Sequence, residues 1–196
     1  MADIKLQIVN QALTACAEDP VSDLSGQNAL TRIAIEHYDD LVNEELEKNQ
    51  PKFAQTTGTP SLLSGTLGEP LQYRWQPPSG VLTIVNVLHF AVPMDGEDYE
   101  VEGAIIRCRF NTDVTVRYIR RVAEEFFTYA FRRIIVTRLE AIMLRFLEEN
   151  DRGDDRDRAA EIKSVIARHR DAKQRGNRPI APGSLALARF GLVRRR

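Results

Sequence analysis

The chain has 196 residues, of which 43% are hydrophobic and 28% charged, so it is long enough to bury a core as one elaborated domain or two small ones. A formal net charge of −1 excludes general electrostatic attraction of the whole molecule to nucleic acid or an anionic membrane. No apolar run approaches the roughly 18 residues of a membrane span, so we expect no membrane partner. The two cysteines, Cys16 and Cys108, lack metal-ligand spacing and are typical of small buried side chains in a reduced cytoplasmic compartment.

The charges are distributed unevenly along the chain. Residues 1–50 contain ten acidic and three basic side chains, whereas residues 168–196 contain nine Lys or Arg and one acid, Asp171. This polarity is typical of a protein that stacks head to tail or presents different faces to different partners. Solvated faces without any partner are the alternative.

The first third of the chain predicts a helical pair over residues 1–54. Apolar residues recur at helical spacing before Asp19-Pro20, and a second stripe runs from Leu30 to Val42 before Pro51. The segment 55–80 has no such periodicity, and its start, QTTGTPSLLSGTLGEP, is rich in Thr, Ser, Gly and Pro. We therefore predict an exposed loop there, a candidate partner contact through Leu62, Leu63 and Leu67, with a merely tolerated insertion as the alternative.

Residues 81–122 predict a β insertion. Three short β-branched segments, VLTIVNVLHFAV, YEVEGAIIRCRF and DVTVRYI, are separated by turn residues and indicate a small antiparallel sheet of three or four strands. Glu100 and Glu102 alternate with Tyr99 and Val101, which places the two carboxylates on the solvent face of a strand rather than in a catalytic pair.

Residues 123–175 predict the remaining helices. The stretch 123–149 is broadly apolar and is expected to be the spine of the core; a break at Gly153 then starts a peripheral last helix. That helix is expected to direct Ile162, Val165, Ile166 and His169 inward. The fold class predicted is α+β and mainly α: an antiparallel four-helix bundle with a small antiparallel β-sheet inserted between helices 2 and 3, and an extended C-terminal arm.

The search for chemistry indicates no enzyme. Phosphate-binding, nucleophile-elbow and zinc-protease motifs are absent from the sequence. Of the acids near His37, only Asp40 shares its helical face, so we expect no catalytic residue, no metal site and no cofactor. Arg120, Arg121, Arg132 and Arg133 could form a basic patch for phosphate contact, but interleaved glutamates favour an ordinary solvated face.

The C-terminal segment 176–196, ending in NRPIAPGSLALARFGLVRRR, has an unusual composition. In the quoted stretch, residues 177–196, two prolines and two glycines oppose a regular helix, every charge is positive, and large apolar side chains follow. Apolar burial alone returns less free energy than ordering the segment costs, but strand addition to another sheet and acidic partners would close the difference. We interpret the segment as an arm meant for another subunit; a disordered basic tail is the alternative.

Five stretches in a fixed order resemble the head-to-tail adaptor proteins of tailed bacteriophages, especially the tail tubular protein A type. They are residues 8–24 (IVNQALTACAEDPVSDL); His37-Tyr38-Asp39 in a helix that ends at Pro51-Lys52-Phe53-Ala54; Tyr73-Arg74-Trp75 with Pro77 and Pro78; Tyr99 to Gly103; and Val116 to Ile119 before the long apolar helix. The likeness covers roughly residues 4–148, and the order of the segments carries it rather than any single one.

The resemblance implies a structural role at the head-to-tail interface, or neck, of a virion assembled in the host cytoplasm. Such proteins form a ring, typically dodecameric, that attaches to the portal protein, extends the channel through which double-stranded DNA passes, and offers a platform for the tail or nozzle protein. In several members of this family the C-terminal segment reaches onto the portal. The arm itself lies outside the resembling stretches, so its role rests on its composition, which predicts docking on the portal through Arg178, Pro179, Ile180, Leu185, Leu187, Phe190, Leu192, Arg194, Arg195 and Arg196. Because the arm has no surface to bind before the portal is present, we expect the free subunit to be a monomer. The alternative function is a monomeric DNA-binding or regulatory accessory protein that uses the arginines of 117–138 and the basic end.

Overall fold

The computed structural model of the chain describes residues 3–25, 28–65, 70–147 and 149–175. Within these ranges lie four α-helices: α1 (Ile4–Ala15), α2 (Ala29–Asn49), α3 (Tyr129–Phe146) and α4 (Asn150–Arg175). Eight strands separate α2 from α3: β1 (Gln55–Gly58), β2 (Ser61–Leu62), β3 (Tyr73–Gln76), β4 (Val81–His89), β5 (Val92–Pro93), β6 (Tyr99–Glu102), β7 (Ile105–Cys108) and β8 (Val114–Arg120). Short 3₁₀ turns at Lys52–Ala54 and Glu124–Phe126 flank the strand region.

Side-chain caps fix where three of the helices begin. Asp3 accepts hydrogen bonds from the backbone N–H groups of Lys5 and Leu6 at the start of α1. Asn28 caps α2 and Thr128 caps α3 in the same way, each by accepting from the N–H three residues later. These residue types are preferred at this position because their oxygens satisfy helix N–H groups that lack an intrahelical partner.

The strands form two antiparallel sheets. The first sheet has the order β1-β8-β4-β5 and the second has the order β2-β3-β7-β6. The longest pairing joins β4 to β8, and its register shifts between Val81 and Thr83 and again between Ile84 and Asn86. These shifts interrupt the strict alternation of β4, so that Leu82 and Val85 pack on the helices whereas Val81, Ile84 and Val87 pack toward the second sheet.

The elements stack in three layers around two hydrophobic cores. The first core joins α1, α2 and α3 to one face of the first sheet, where Ile119 is fully buried and Leu82 and Val85 pack from β4. The second core lies between the two sheets and contains Trp75 and Ile106 from the second sheet; from the first it contains Val87, Val114, Val116 and Tyr118. The first sheet is therefore covered on both faces, by helices on one side and by the second sheet on the other.

The prediction of a four-helix bundle with a small inserted sheet was wrong. The four helices are present, but eight strands in two four-stranded sheets make up the β region. The helical layer packs its apolar surface on the first sheet instead of closing entirely on itself, because β4 and β8 bring apolar side chains to that face.

The stretch 55–80, predicted as an exposed loop, contributes three of the eight strands. β1 pairs with β8 from Gln55↔Ile119 to Gly58↔Val116, and β3 pairs with β7. These strands are only two to four residues long and carry Thr, Ser, Gln and Arg, so they lack the apolar alternation that predicts a strand. Pairing with partner strands from elsewhere in the chain, rather than local propensity, makes them β structure.

The helical half also departs from its prediction at two points. The apolar stretch 123–149 begins as a 3₁₀ turn, and α3 starts only after the cap at Thr128. Gly153 does not break the chain but lies inside α4, buried against α3. A Cβ at Gly153 would lie 2.8 Å from Cγ of Arg145 and 3.1 Å from the carbonyl oxygen of Ala141, so this glycine permits close helix packing.

Candidate interaction surfaces

The residues predicted to dock on a partner are only partly described by the structure. The arm residues from Arg178 to Arg196 and Leu67 of the loop lie outside the described residues. Leu62 is exposed in β2, whereas Leu63 is half-buried and its N–H donates to the carbonyl oxygen of Arg74 at 2.8 Å. Leu62 is thus available to a partner, and Leu63 has a local structural role.

Half of the six arginines between residues 117 and 138 are engaged within the molecule. Arg121 pairs with Asp39 at 3.1 Å and with Glu124 at 2.6 Å. Arg132 donates to the carbonyl oxygen of Phe127 at 3.0 Å. Among the other members of the set, Arg117, Arg120 and Arg133 are exposed. The described helices and strands therefore offer scattered cations rather than a continuous basic patch.

The histidines lie apart from one another. His37 and His169 are exposed on α2 and α4, and His89 stacks on Phe110 with ring centroids 3.8 Å apart. Among the described residues, no group of three or more His, Cys, Asp or Glu side chains has an arrangement that could hold a metal ion. His89 is best described as an aromatic neighbour of the second core.

The face of α4 that packs on α2 and α3 is polar. Arg138 of α3 lies at its centre and donates to Glu45 at 2.9 Å, to Asp157 at 2.8 Å and to Glu161 at 3.2 Å. Lys163 donates to Thr137 at 2.7 Å. Burial opposes the charged form of Arg138, but the hydrogen bonds to Asp157 and the charge of Glu45 hold its pKa above the ordinary value. This network fixes the rotation of α4 about its axis.

The opposite face of α4 carries an apolar stripe toward solvent, formed by Ile162, Val165 and Ile166 and named here the outer stripe. Ile162 is 62% exposed, and the other two are exposed to a similar degree. The prediction that these residues and His169 point inward was wrong, because Gly153, Ala160 and Ser164 are the buried positions. Periodicity identified the stripe, but the polar network on the other face decided which side of the helix is buried.

The β4–β5 hairpin presents an exposed aromatic residue on a strained turn. Phe90 and Ala91 form the two-residue connection with φ values of 48° and 61°, a conformation that favours Asn and Gly. Phe90 is 68% exposed, and Val92 beside it is also exposed. Holding two such residues in the left-handed region costs on the order of 1 kcal/mol each. The hairpin therefore presents an apolar tip that solvation alone would not favour.

Exposed apolar side chains also mark both ends of α3. Phe126 and Tyr129 lie at its start and Phe146 and Leu147 at its end, and Tyr129 is 78% exposed. An 18-residue helix is about 27 Å long, so these two groups are widely separated. Together with the outer stripe and the hairpin tip, they distribute large apolar groups over several faces of the molecule.

An open groove of about 650 Å³ lies where the two sheets meet, and we name it the seam groove. Residues 76–84, which lead into and begin β4, form one wall. Val101, Gly103 and Ala104, at the end of β6 and the turn to β7, form the other. Sequence reasoning missed this groove, since its walls come from strands of different sheets and no local pattern marks their meeting.

None of the helices in the described ranges is long and apolar enough to cross a membrane.

The described part of the chain has several exposed apolar surfaces, one groove between its sheets, and a charged network that holds its last helix. No protein-family model matches the chain, and no curated protein matches its sequence.

Proposed function

We propose that this chain is a structural head-to-tail adaptor of a tailed bacteriophage. In this proposal it forms a ring that attaches to the portal protein, extends the DNA channel and provides the docking platform for the tail or nozzle protein. One observation carries the proposal: large apolar side chains are exposed on three separate elements, α3, α4 and the β4–β5 hairpin. An exposed apolar patch such as the outer stripe marks a site of protein–protein contact.

The distribution of these surfaces supports a subunit with several neighbours. A ring subunit contacts one neighbour with one face and the other neighbour with a different face, and it contacts the partners above and below with further faces. Exposed apolar groups at both ends of α3 and on the outer stripe supply distinct faces for such contacts.

The resembling stretches provide the second support, because they contain fold-determining residues. Tyr38 from the second stretch is fully buried in the first core, Val116 from the fifth is fully buried in the second, and Ile119, also from the fifth, joins the first sheet to the helices. The likeness in sequence therefore falls on positions that specify the layers of the fold. A family related by its architecture would share such positions.

The arm completes the proposed mechanism. Residues 176–196 combine large apolar side chains with five arginines and no acid, which suits docking against an acidic, apolar surface of the portal. Repeating the contact around a ring multiplies its strength beyond that of one copy. In this proposal the subunit remains a monomer until the portal offers that surface.

Mixing the chain with the portal protein encoded in the same genome tests the proposal. Native mass spectrometry is expected to show a ring-sized complex with the wild-type chain and its loss when Leu185 and Leu187 are both changed to Asp. Arg158→Ala, an exposed change on α4, is the matched control and is expected to preserve the complex. A chain that stays monomeric with the portal but shifts duplex DNA at low salt would support the DNA-binding alternative instead.

A further inference from the structure

The seam groove lies between two strand edges that other described strands leave open. β6 is the outermost strand of the second sheet. In the first sheet, β5 pairs only with Leu88 and His89 of β4. The residues from Val81 to Asn86 therefore pair with β8 on one side and, among the described strands, have no partner on the other side. Open strand edges present unpaired N–H and C=O groups and are the element to which extended peptides add.

Apolar side chains line the space between these edges. Val81 and Ile84 of β4 are half-buried along one wall and pack against the second core. Val101 of β6 lies on the other wall and is 43% exposed. Its cross-strand partner on β7 is Ile106, which lies on the same face of the second sheet and is fully buried in the second core. An added strand would cover Val101 and these β4 side chains and would extend the second core outward.

Acidic residues are concentrated in the segment that leads into and forms β6, beside the groove rather than among its lining residues. Residues 95–102 contain five acids and no base. Arg107 pairs with Glu100 and Glu102, at 3.9 and 3.5 Å, and Arg109 pairs with Asp98 at 2.9 Å. Asp95 and Glu97 have no ion-pair partner among the described residues. A peptide that enters the groove therefore gains from positive charge.

One segment of the chain outside the described residues matches these requirements. Residues 184–193, SLALARFGLV, contain no acid and no proline, so every residue retains an N–H group for strand pairing. As a strand, the segment places Leu185 and Leu187 on one face and Phe190 and Leu192 on the other. Arg189 and the three terminal arginines supply the charge opposite to that of residues 95–102.

The end of α4 lies within reach of the groove in the same molecule. The Asp171 carboxylate is 3.5 Å from the backbone nitrogen of Lys52, shortly before β1. At the far end of β1, Gly58 abuts Pro78 of the groove wall, where a Cβ on the glycine would lie 3.0 Å from Cγ of the proline. The seven residues from Lys52 to Gly58 span at most about 25 Å, and the nine-residue step from Arg175 to Ser184 spans up to about 30 Å.

We propose that residues 184–193 occupy the seam groove of their own chain as an added strand along β6. The nine-residue linker makes docking an intramolecular step, which favours the chain's own segment over that of a second copy. This inference does not depend on the adaptor assignment, because it concerns the free chain. For an adaptor, it would mean that the groove holds the arm until another surface displaces it.

Disulfide trapping in the full-length chain tests the placement. The pair Val101→Cys and Leu187→Cys is expected to form an intramolecular disulfide at least about tenfold faster than the control pair Ile166→Cys and Leu187→Cys. Both pairs retain Cys16 and Cys108, and peptide mapping identifies the bond. Equal rates, no 101–187 bond, or a 101–187 bond found only in dimers would each overturn the proposal.

Hydrogen exchange provides a readout that needs no cross-link. Changing Leu185 and Leu187 to Asp in the full-length chain leaves every described residue unaltered. Amides of Tyr99–Glu102 are expected to exchange about tenfold faster in this variant. Those of residues 106–108, paired on both sides by β3 and β6, are expected to keep their rates. Unchanged exchange in β6 would contradict the inference even if the variant retains its fold.

Discussion

Tyr118 and Ile119 are neighbours in β8 but belong to different hydrophobic cores. Ile119 is fully buried among the helices, whereas Tyr118 packs between the two sheets. Successive side chains of a strand point to opposite faces, so a single strand holds both cores together. Loss of β8 would therefore open both at once.

This coupling predicts one cooperative unfolding transition. Trp75 is the only tryptophan and lies in the second core, so its fluorescence reports the sheets, while far-UV circular dichroism mainly reports the helices. We expect the two signals to change at the same urea concentration, as two-state unfolding requires. Two separated midpoints would show that the cores unfold independently. Trp75→Phe, followed by circular dichroism alone, controls for the hydrogen bond that the indole donates to the carbonyl oxygen of Phe110.

The ion pair between Arg138 and Glu45 should dominate the stability of the helical layer. Glu45 is fully buried, so Arg138→Leu leaves an uncompensated charge and is expected to lower the free energy of unfolding by about 3–5 kcal/mol. Urea denaturation measures the change. Arg158→Leu removes an exposed pair with Asp155 and is expected to cost less than about 1 kcal/mol.

Removing both partners separates the charge from the packing. The double change Arg138→Leu and Glu45→Leu is expected to recover more than half of the lost stability, because neither partner is then left buried and charged. If Arg138→Leu unfolds at the same urea concentration as the wild type, the network contributes no net stability.

Gly153 should resist substitution although it lies in a helix. Alanine normally stabilises a helix interior by about 1 kcal/mol relative to glycine, but here its Cβ would approach the carbonyl oxygen of Ala141, which cannot rotate away. We expect Gly153→Ala to destabilise the chain by about 1–3 kcal/mol in thermal or urea unfolding. Gly96→Ala, where no atom lies within 4 Å of the added Cβ, is the control and should be nearly neutral. Equal midpoints for the two variants would argue against close contact of α3 and α4.

The thiol of Cys16 should react slowly below strongly alkaline pH. Burial, reinforced by the negative charge of Glu140, raises the pKa of Cys16 to about 11 from the ordinary value of 9.0. At pH 8 the thiolate fraction is then about a hundredfold lower than in the unfolded chain, and alkylation by iodoacetamide should slow in proportion. The labelling rate is expected to rise about tenfold per pH unit until the pH reaches the pKa of Cys16.

The same shift gives a stability prediction at alkaline pH. Because the folded-state pKa of Cys16 is raised, the neutral thiol favours the folded chain fully below pH 9, and this contribution declines as the pH rises toward 11. Cys16→Ala should weaken the fall in unfolding free energy over that interval. If Cys16 of the folded wild type is labelled at pH 8 as fast as Cys16 of the urea-unfolded chain, the thiol is not in the buried environment described here.

The outer stripe of α4 should matter for assembly and not for folding. Ile162→Asp with Ile166→Asp changes exposed positions, so the free energy of unfolding is expected to stay within about 0.5 kcal/mol of the wild type. Ring formation with the portal, measured by native mass, is expected to be lost. Ala160→Asp, at a fully buried position of the same helix, should instead unfold the helical layer. If the variant with both Ile162→Asp and Ile166→Asp still forms the ring, α4 does not contribute to the proposed contacts.

Sequence patterns located much of the secondary structure. The apolar periodicity of the first fifty residues predicted α1 and α2. β-branched segments separated by turn residues predicted the strands between 81 and 119, with Glu100 and Glu102 exposed as expected. The strands of 55–76 were missed because they are stabilised by pairing with β7 and β8, which local composition does not reveal.

The order of residue types along the chain establishes at what spacing apolar residues recur, and this spacing predicts helices and strands because their periods follow from backbone geometry. Which face of each element is buried depends on how the elements pack in the folded molecule. On α4 the ion pairs to Arg138 turned the apolar stripe outward, and in β8 two cores received neighbouring side chains. The seam groove, where β4 meets β6, likewise exists only after two sheets have paired, since burial is a property of neighbours distant in the chain.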